Sequence, residues 1–178
     1  MRVLHVCIIS LILFLICTSG CTTSTPQLET QTPLPQTAAP LSAEIRDRAV
    51  VSIMSDQLSV FQSDLNVLAH SLSAGNCPAI QAASRNLQNT TTSQASLLER
   101  LRSNDTNIEQ ARIAQISAYQ NAGKFASEIQ KMCEVKDANA VLSHADNASA
   151  SLNATMQDLA SAQQFLKNAG SDGPDSLT

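Results

Sequence analysis

Apolar residues recur along most of the chain at alternating steps of three and four, the seam of packed helices. One stripe runs through Val51, Met54, Leu58, Phe61, Leu65, Leu68 and Leu72. A second follows Ile80, Ala83, Leu87, Thr90, Gln94, Leu97 and Leu101. A third takes in Ile108, Ala111, Gln115, Ala118, Ala122, Phe125, Ile129 and Met132. The fourth is Ala138, Val141, Ala145, Ala148, Leu152, Thr155, Leu159, Ala162 and Leu166. Flanking apolar residues such as Leu98, Ile116, Tyr119, Leu142 and Phe165 widen these stripes, which suits a bundle better than a two-stranded coiled coil. No stretch alternates like a strand.

Boundary signals divide the pattern into helices at about 42–74, 77–103, 106–134 and 137–169. Ser42, Asn76 and Asp137 are N-cap types, and Thr106-Asn107-Ile108-Glu109 has the form of a capping box. Pro78 is tolerated in a first turn, and Gly75 and Gly170 are natural stops. Short connections make neighbours antiparallel. The expected fold is therefore all-α, an up-down-up-down antiparallel four-helix bundle over residues 42–170, with an unstructured tail at 171–178. Alanines thin the core of the fourth helix, so a covalent staple would add much to its stability.

The first forty residues have a different pattern. Arg2 precedes a nearly unbroken apolar run from Val3 to Cys17, followed by Thr18-Ser19-Gly20-Cys21. The run is shorter than the roughly 20 residues a membrane-crossing helix needs, so residues 1–20 are expected to be a secretory signal peptide. Thr18-Ser19-Gly20-Cys21 resembles the lipobox of prokaryotic lipoproteins, with Thr18 standing where an aliphatic residue is usual. The resemblance implies cleavage before Cys21, lipidation of its thiol, and an extracytoplasmic protein anchored to the membrane by its N-terminal lipid. An uncleaved signal anchor is the alternative. Residues 21–41 hold four of the six prolines, at 26, 33, 35 and 40, and too little apolar surface to fold; they form a tether.

The chain has 178 residues, a formal net charge of −4 and 3% aromatic residues. That balance excludes the basic face a nucleic-acid partner requires. The five cysteines sort by position. Cys7 and Cys17 belong to the signal and Cys21 to the lipid. Cys77 and Cys133 remain, at the start of the second helix and the end of the third. Antiparallel packing places them at one end, where an oxidising compartment would join them in a disulfide. Free buried thiols or a metal pair are the alternatives; two thiolates do not complete a zinc site.

Stepping inward from Cys77 and Cys133 at equal pace brings Gln94 level with Gln115, and the next turn brings Thr155 to a similar height. These three are expected to form a polar layer that sets helix register or, alternatively, lines a small-ligand pocket. Asn89, Asn104, Asn147 and Asn153 begin Asn-x-Ser/Thr sequons off the core stripes and are candidate N-glycosylation sites. His70 and His144 fall off the stripes, as solvated residues would. No nucleophile elbow, phosphate loop, zinc-helix, haem or di-iron motif occurs. No enzyme activity, cofactor or metal is expected. The most economical function is a helical binding or structural module with an envelope protein or polymer as partner. The alternative is a sensor-like domain holding a small ligand between helices.

Overall fold

The computed structural model describes residues 43–171; the signal, lipobox and tether expectations, the Ser42 cap and the C-terminal tail lie outside them. Four helices follow one another: α1 (Ala43–Ala74), α2 (Cys77–Arg100), α3 (Thr106–Met132) and α4 (Ala138–Ser171). Among the described residues there is no strand, and no helix is long and apolar enough to cross a membrane.

Local chemistry sets the breaks. Gly75 turns α1 off at φ +66, a left-handed value that costs glycine little, and its N–H reaches the Leu72 carbonyl at 3.1 Å. Asn76 then caps α2 by accepting from the Ala79 amide, with Pro78 in the first turn. At the next break the expectation is corrected. Asp105, not Thr106, is the N-cap of α3, accepting from the Ile108 amide at 3.0 Å. Glu109 reaches back to the Ser103 amide rather than to the cap residue. α2 ends three residues earlier than expected, because the 101–105 segment is drawn aside: Asp47 of α1 accepts from the Ser103 hydroxyl at 2.6 Å and the Asn104 amide at 3.1 Å. Asp137 caps α4 as expected, through the Ala140 amide at 2.9 Å. α4 continues one residue past Gly170.

Consecutive helices pack antiparallel, as the cross-helix bonds show. Asp47–Ser103, Gln57–Gln94 and Asp64–Asn86 run in opposite order along α1 and α2. Glu128–His144 and Asn121–Asp158 do the same along α3 and α4. α3 is the central element, packed most closely against α4 and next against α2. α1 leans on α2 and touches α3, and α1 and α4 scarcely meet, so the four-helix ring is closed unevenly. Buried alanines on both partners, among them Ala118, Ala122, Ala145 and Ala148, let the α3 and α4 backbones approach.

The core follows the expected stripes on α3 and α4 but slips on α1 and α2. On α2, Thr91 and Leu98 are buried where Thr90 and Leu97 were expected, and Leu97 is 46% exposed. On α1, Val50, Gln57 and Ser71 are buried while Val51, Leu58 and Leu72 are only half-buried. On both helices the buried positions still recur at steps of three and four; at alternate steps they fall one residue earlier on α1 and one residue later on α2, on the flank of the apolar stripe that the neighbouring helices cover.

Gly123 faces α2 in the middle of α3. A Cβ there would meet the Thr91 hydroxyl at 3.4 Å, an ordinary contact. Gly123→Ala should therefore keep most of its helix-propensity gain and stabilise the fold by about 0.5–1 kcal/mol. A raised urea midpoint with unchanged slope is the expected result.

Candidate functional site

The polar layer exists, but its members bond differently than expected. Gln94, Gln115 and Thr155 are all buried, at 8%, 1% and 1% exposure. They make no hydrogen bonds to one another. Gln94 Nε2 donates to the Gln57 carbonyl at 3.1 Å, and Gln115 Nε2 donates to the Met54 carbonyl at 3.0 Å. Both amides thus hold α1, one from α2 and one from α3, through second lone pairs on its backbone carbonyls. Thr155 turns its hydroxyl back to its own helix at the Ser151 carbonyl, 2.9 Å away, and reaches the Ala118 carbonyl only at 3.5 Å. Backbone carbonyls, each with a second lone pair to offer, supply the acceptors instead.

Two further residues join this region: Tyr119, which the sequence placed only on the flank of a stripe, and Gln57, which carried no signal there. Tyr119 is fully buried, and its hydroxyl accepts from Gln115 Nε2 at 2.6 Å. Burial pushes its phenol up to about 12, with the Gln115 bond pulling the other way. Its ring meets Phe61 edge-on, with centroids 5.4 Å apart. Gln57 is 7% exposed, and neither atom of its side-chain amide has a hydrogen-bond partner; the same holds for Gln94 Oε1.

Charged nodes flank the layer. Arg112 is 5% exposed and forms a fork on Glu109, with Nε at 2.9 Å and Nη2 at 2.5 Å; its Nη1 reaches the Leu98 carbonyl of α2 at 2.8 Å. The Arg112 bond holds Glu109 below the usual carboxylate range despite partial burial. Asp158 of α4 accepts from Ser117 and Asn121 of α3. Glu128 receives Lys131 on one oxygen and His144 Nδ1 on the other, each at 2.6 Å. His144 is therefore a half-buried partner of α3 rather than a solvated residue, whereas His70 is exposed.

Glu128 supplies a pH prediction. Lys131 and then His144 hold its pKa below the ordinary 4.5. A depressed carboxylate stabilises the fold fully above the unfolded value, and that stability is lost as pH falls through the folded value. Glu128→Gln should therefore lessen the fall in Tm below about pH 4.5, relative to its own Tm at pH 7. An unchanged acid limb would show the pair contributes nothing there.

Cys77 and Cys133 come together at one end of the α2–α3 pair, as the antiparallel register required, but the expected bridge is not formed: both are free thiols. Cys77 is exposed; Cys133, the C-cap of α3, is half-buried and packs against the core. Burial, then the hydrogen-bonded Cys77 beside it, pushes the Cys133 thiol up to about 12. Joining the sulfurs requires removing two protons and two electrons, and as thiols they rest in hydrogen-bond contact instead.

The four sequon asparagines, Asn89, Asn104, Asn147 and Asn153, are all exposed. Cys21 lies outside the described residues. Among the described residues, no three His, Cys, Asp or Glu side chains converge as metal ligands would. An open groove of about 520 Å³ runs between α2 and α3, with Thr91, Ala95 and Tyr119 among its lining and Glu99, Lys124, Glu128 and Lys131 as its charged groups. Gln94, Gln115 and Thr155 do not line it; Tyr119, bonded to Gln115, is where the layer meets the groove. No family model, curated protein or solved structure matches the chain.

Proposed function

We propose that this chain is a membrane-anchored, extracytoplasmic helical module that binds a protein or polymer of the cell envelope and catalyses no reaction. The observation that carries the reading is the order of the N-terminal sequence: Arg2, the short apolar run, Thr18-Ser19-Gly20-Cys21, then the proline-rich tether. Two acyl chains on Cys21 would anchor the domain stably, since each buried methylene adds roughly 0.8 kcal/mol. The side chains of the bundle support a binding role over chemistry. Its buried polar groups join one helix to another, and its charged nodes are mutually paired.

Metabolic labelling with a radioactive fatty acid tests the anchor in a bacterial host that processes lipoproteins. The full chain should take up label and sediment with membranes, and Cys21→Ala should lose both. Label that persists in Cys21→Ala overturns the lipid anchor. Membrane retention without label points to the uncleaved signal instead. Pull-down from detergent-solubilised envelope then identifies the partner.

Outside the cytoplasm, the Cys77–Cys133 pair would close as a disulfide, worth roughly 4 kcal/mol by chain entropy for a loop of this length. A host that glycosylates exported proteins would find acceptors in Asn89, Asn104, Asn147 and Asn153. A mass excess removed by deglycosylation checks that.

The α2–α3 groove favours a second reading, a small-ligand sensor. Its volume falls within the range of small-molecule sites, although it is open rather than enclosed. A metabolite that raises Tm in the parent chain but not in Thr92→Trp would support it.

A further inference from the structure

We propose that oxidation of the cysteine pair is ordered: Cys77 is the entry sulfur, which forms a mixed disulfide with an incoming disulfide donor, and Cys133 is the resolving sulfur. The inference rests on the pair closing as proposed above, and it does not require Cys21 to carry lipid.

The asymmetry comes from the placement of the two thiols. Cys77 is the first residue of α2, and the Gly75–Asn76 turn before it and Pro78 after it are exposed as well. A bulky disulfide can approach that corner. Cys133 caps α3 with its own N–H turned back to the Gln130 carbonyl at 3.1 Å. Its side chain is half-buried against the core. A thiol–disulfide exchange needs the attacking sulfur in line with the sulfur–sulfur bond and accessible to it. Cys77 meets that requirement openly from solvent, whereas half-buried Cys133 offers less of its surface to solvent and has Cys77 beside it. The raised pKa of Cys133 acts in the same direction, since it keeps this sulfur a thiol until Cys77 has been converted.

The chemistry balances with a disulfide R–S–S–R as the oxidant, either low-molecular-weight or carried by an oxidising protein. The Cys77 thiolate attacks one sulfur, the R–S–S–R bond breaks, and one R–S⁻ leaves and takes a proton. Cys133 then gives its proton to solvent and attacks Cys77 Sγ. The mixed bond breaks, the second R–S⁻ leaves, and the Cys77–Cys133 bond remains. The two cysteines lose two electrons, and R–S–S–R gains them as two thiols.

Oxidised glutathione is the probe. The full chain is used with Cys7, Cys17 and Cys21 replaced by serine, so that only the pair reacts. In Cys133→Ser, Cys77 should accumulate glutathione about tenfold or more faster than Cys133 does in Cys77→Ser. With both cysteines present, the adduct should be transient and give way to the internal bond. Alkylation of the reduced pair, mapped by peptide mass, should label Cys77 first without any substitution within the pair. Equal rates, or faster reaction at Cys133, overturn the order. Failure of the internal bond to form, with Cys77 still the faster site, overturns the closure on which the order rests and leaves the accessibility difference standing.

Discussion

Phe61→Ala is expected to destabilise the bundle by about 3–5 kcal/mol, the largest effect of any single truncation proposed. Phe61 is 1% exposed and is the largest apolar side chain α1 buries. Its ring meets the edge of Tyr119 on α3, so truncation removes both buried area and an aromatic pair. The surroundings cannot collapse well into the gap. Met54 and Leu68, each about two turns away, are themselves fully packed. Equilibrium urea unfolding followed by circular dichroism measures the loss. A drop below about 1.5 kcal/mol would mean that α1 is not seated as described.

The second large effect is Gln115→Leu, expected to cost about 2 kcal/mol. The substitution preserves bulk, so the loss is chiefly polar. It removes the bond to the Met54 carbonyl and leaves the buried Tyr119 hydroxyl without its Gln115 partner. The cost of an orphaned buried hydroxyl exceeds the net worth of the bond it made, which yields a second-site test. Tyr119→Phe should cost little more in the Gln115→Leu background, so the double variant should lose less than the two single losses added. Strict additivity within about 0.3 kcal/mol would refute coupling between these groups. Register-setting by the layer thus works through α1. The amides of Gln94 and Gln115 find their carbonyls only when α1 lies at one height against α2 and α3.

The seating of α1 is the part the sequence left obscure. Asn76, Asp137, Gly75 and Pro78 announce their roles because each acts within four residues of itself. The level placement of Gln94 and Gln115 was also legible, because two cysteines marked one end of the α2–α3 pair. Nothing comparable marked α1 against them, so Gln57 was invisible as a core residue. Arg112 left a fainter sign, the Glu109–Arg112 spacing, but its burial depends on the Leu98 carbonyl at the far end of α2. The Asp47 clamp on Ser103 and Asn104 joins residues more than fifty positions apart, beyond any local pattern. The slip of the buried stripe on α2 belongs to the same class. It depends on which flank of the stripe the neighbouring helices cover, which only the packed structure decides.

The uneven closure of the ring has a dynamic consequence. α1 is the most loosely held helix, its polar and ring fastenings being one ring pair, two glutamine amides, the Asp64–Asn86 bond and the Asp47 clamp, with the partnerless Gln57 amide in its contact face. Its release would expose less than global unfolding and would relieve that buried amide. The α1 amides should therefore exchange with deuterium through a sub-global opening, ahead of the α3 and α4 amides. The proposed tether precedes α1 in the sequence, so tension on it would be felt first by the helix that lets go most easily.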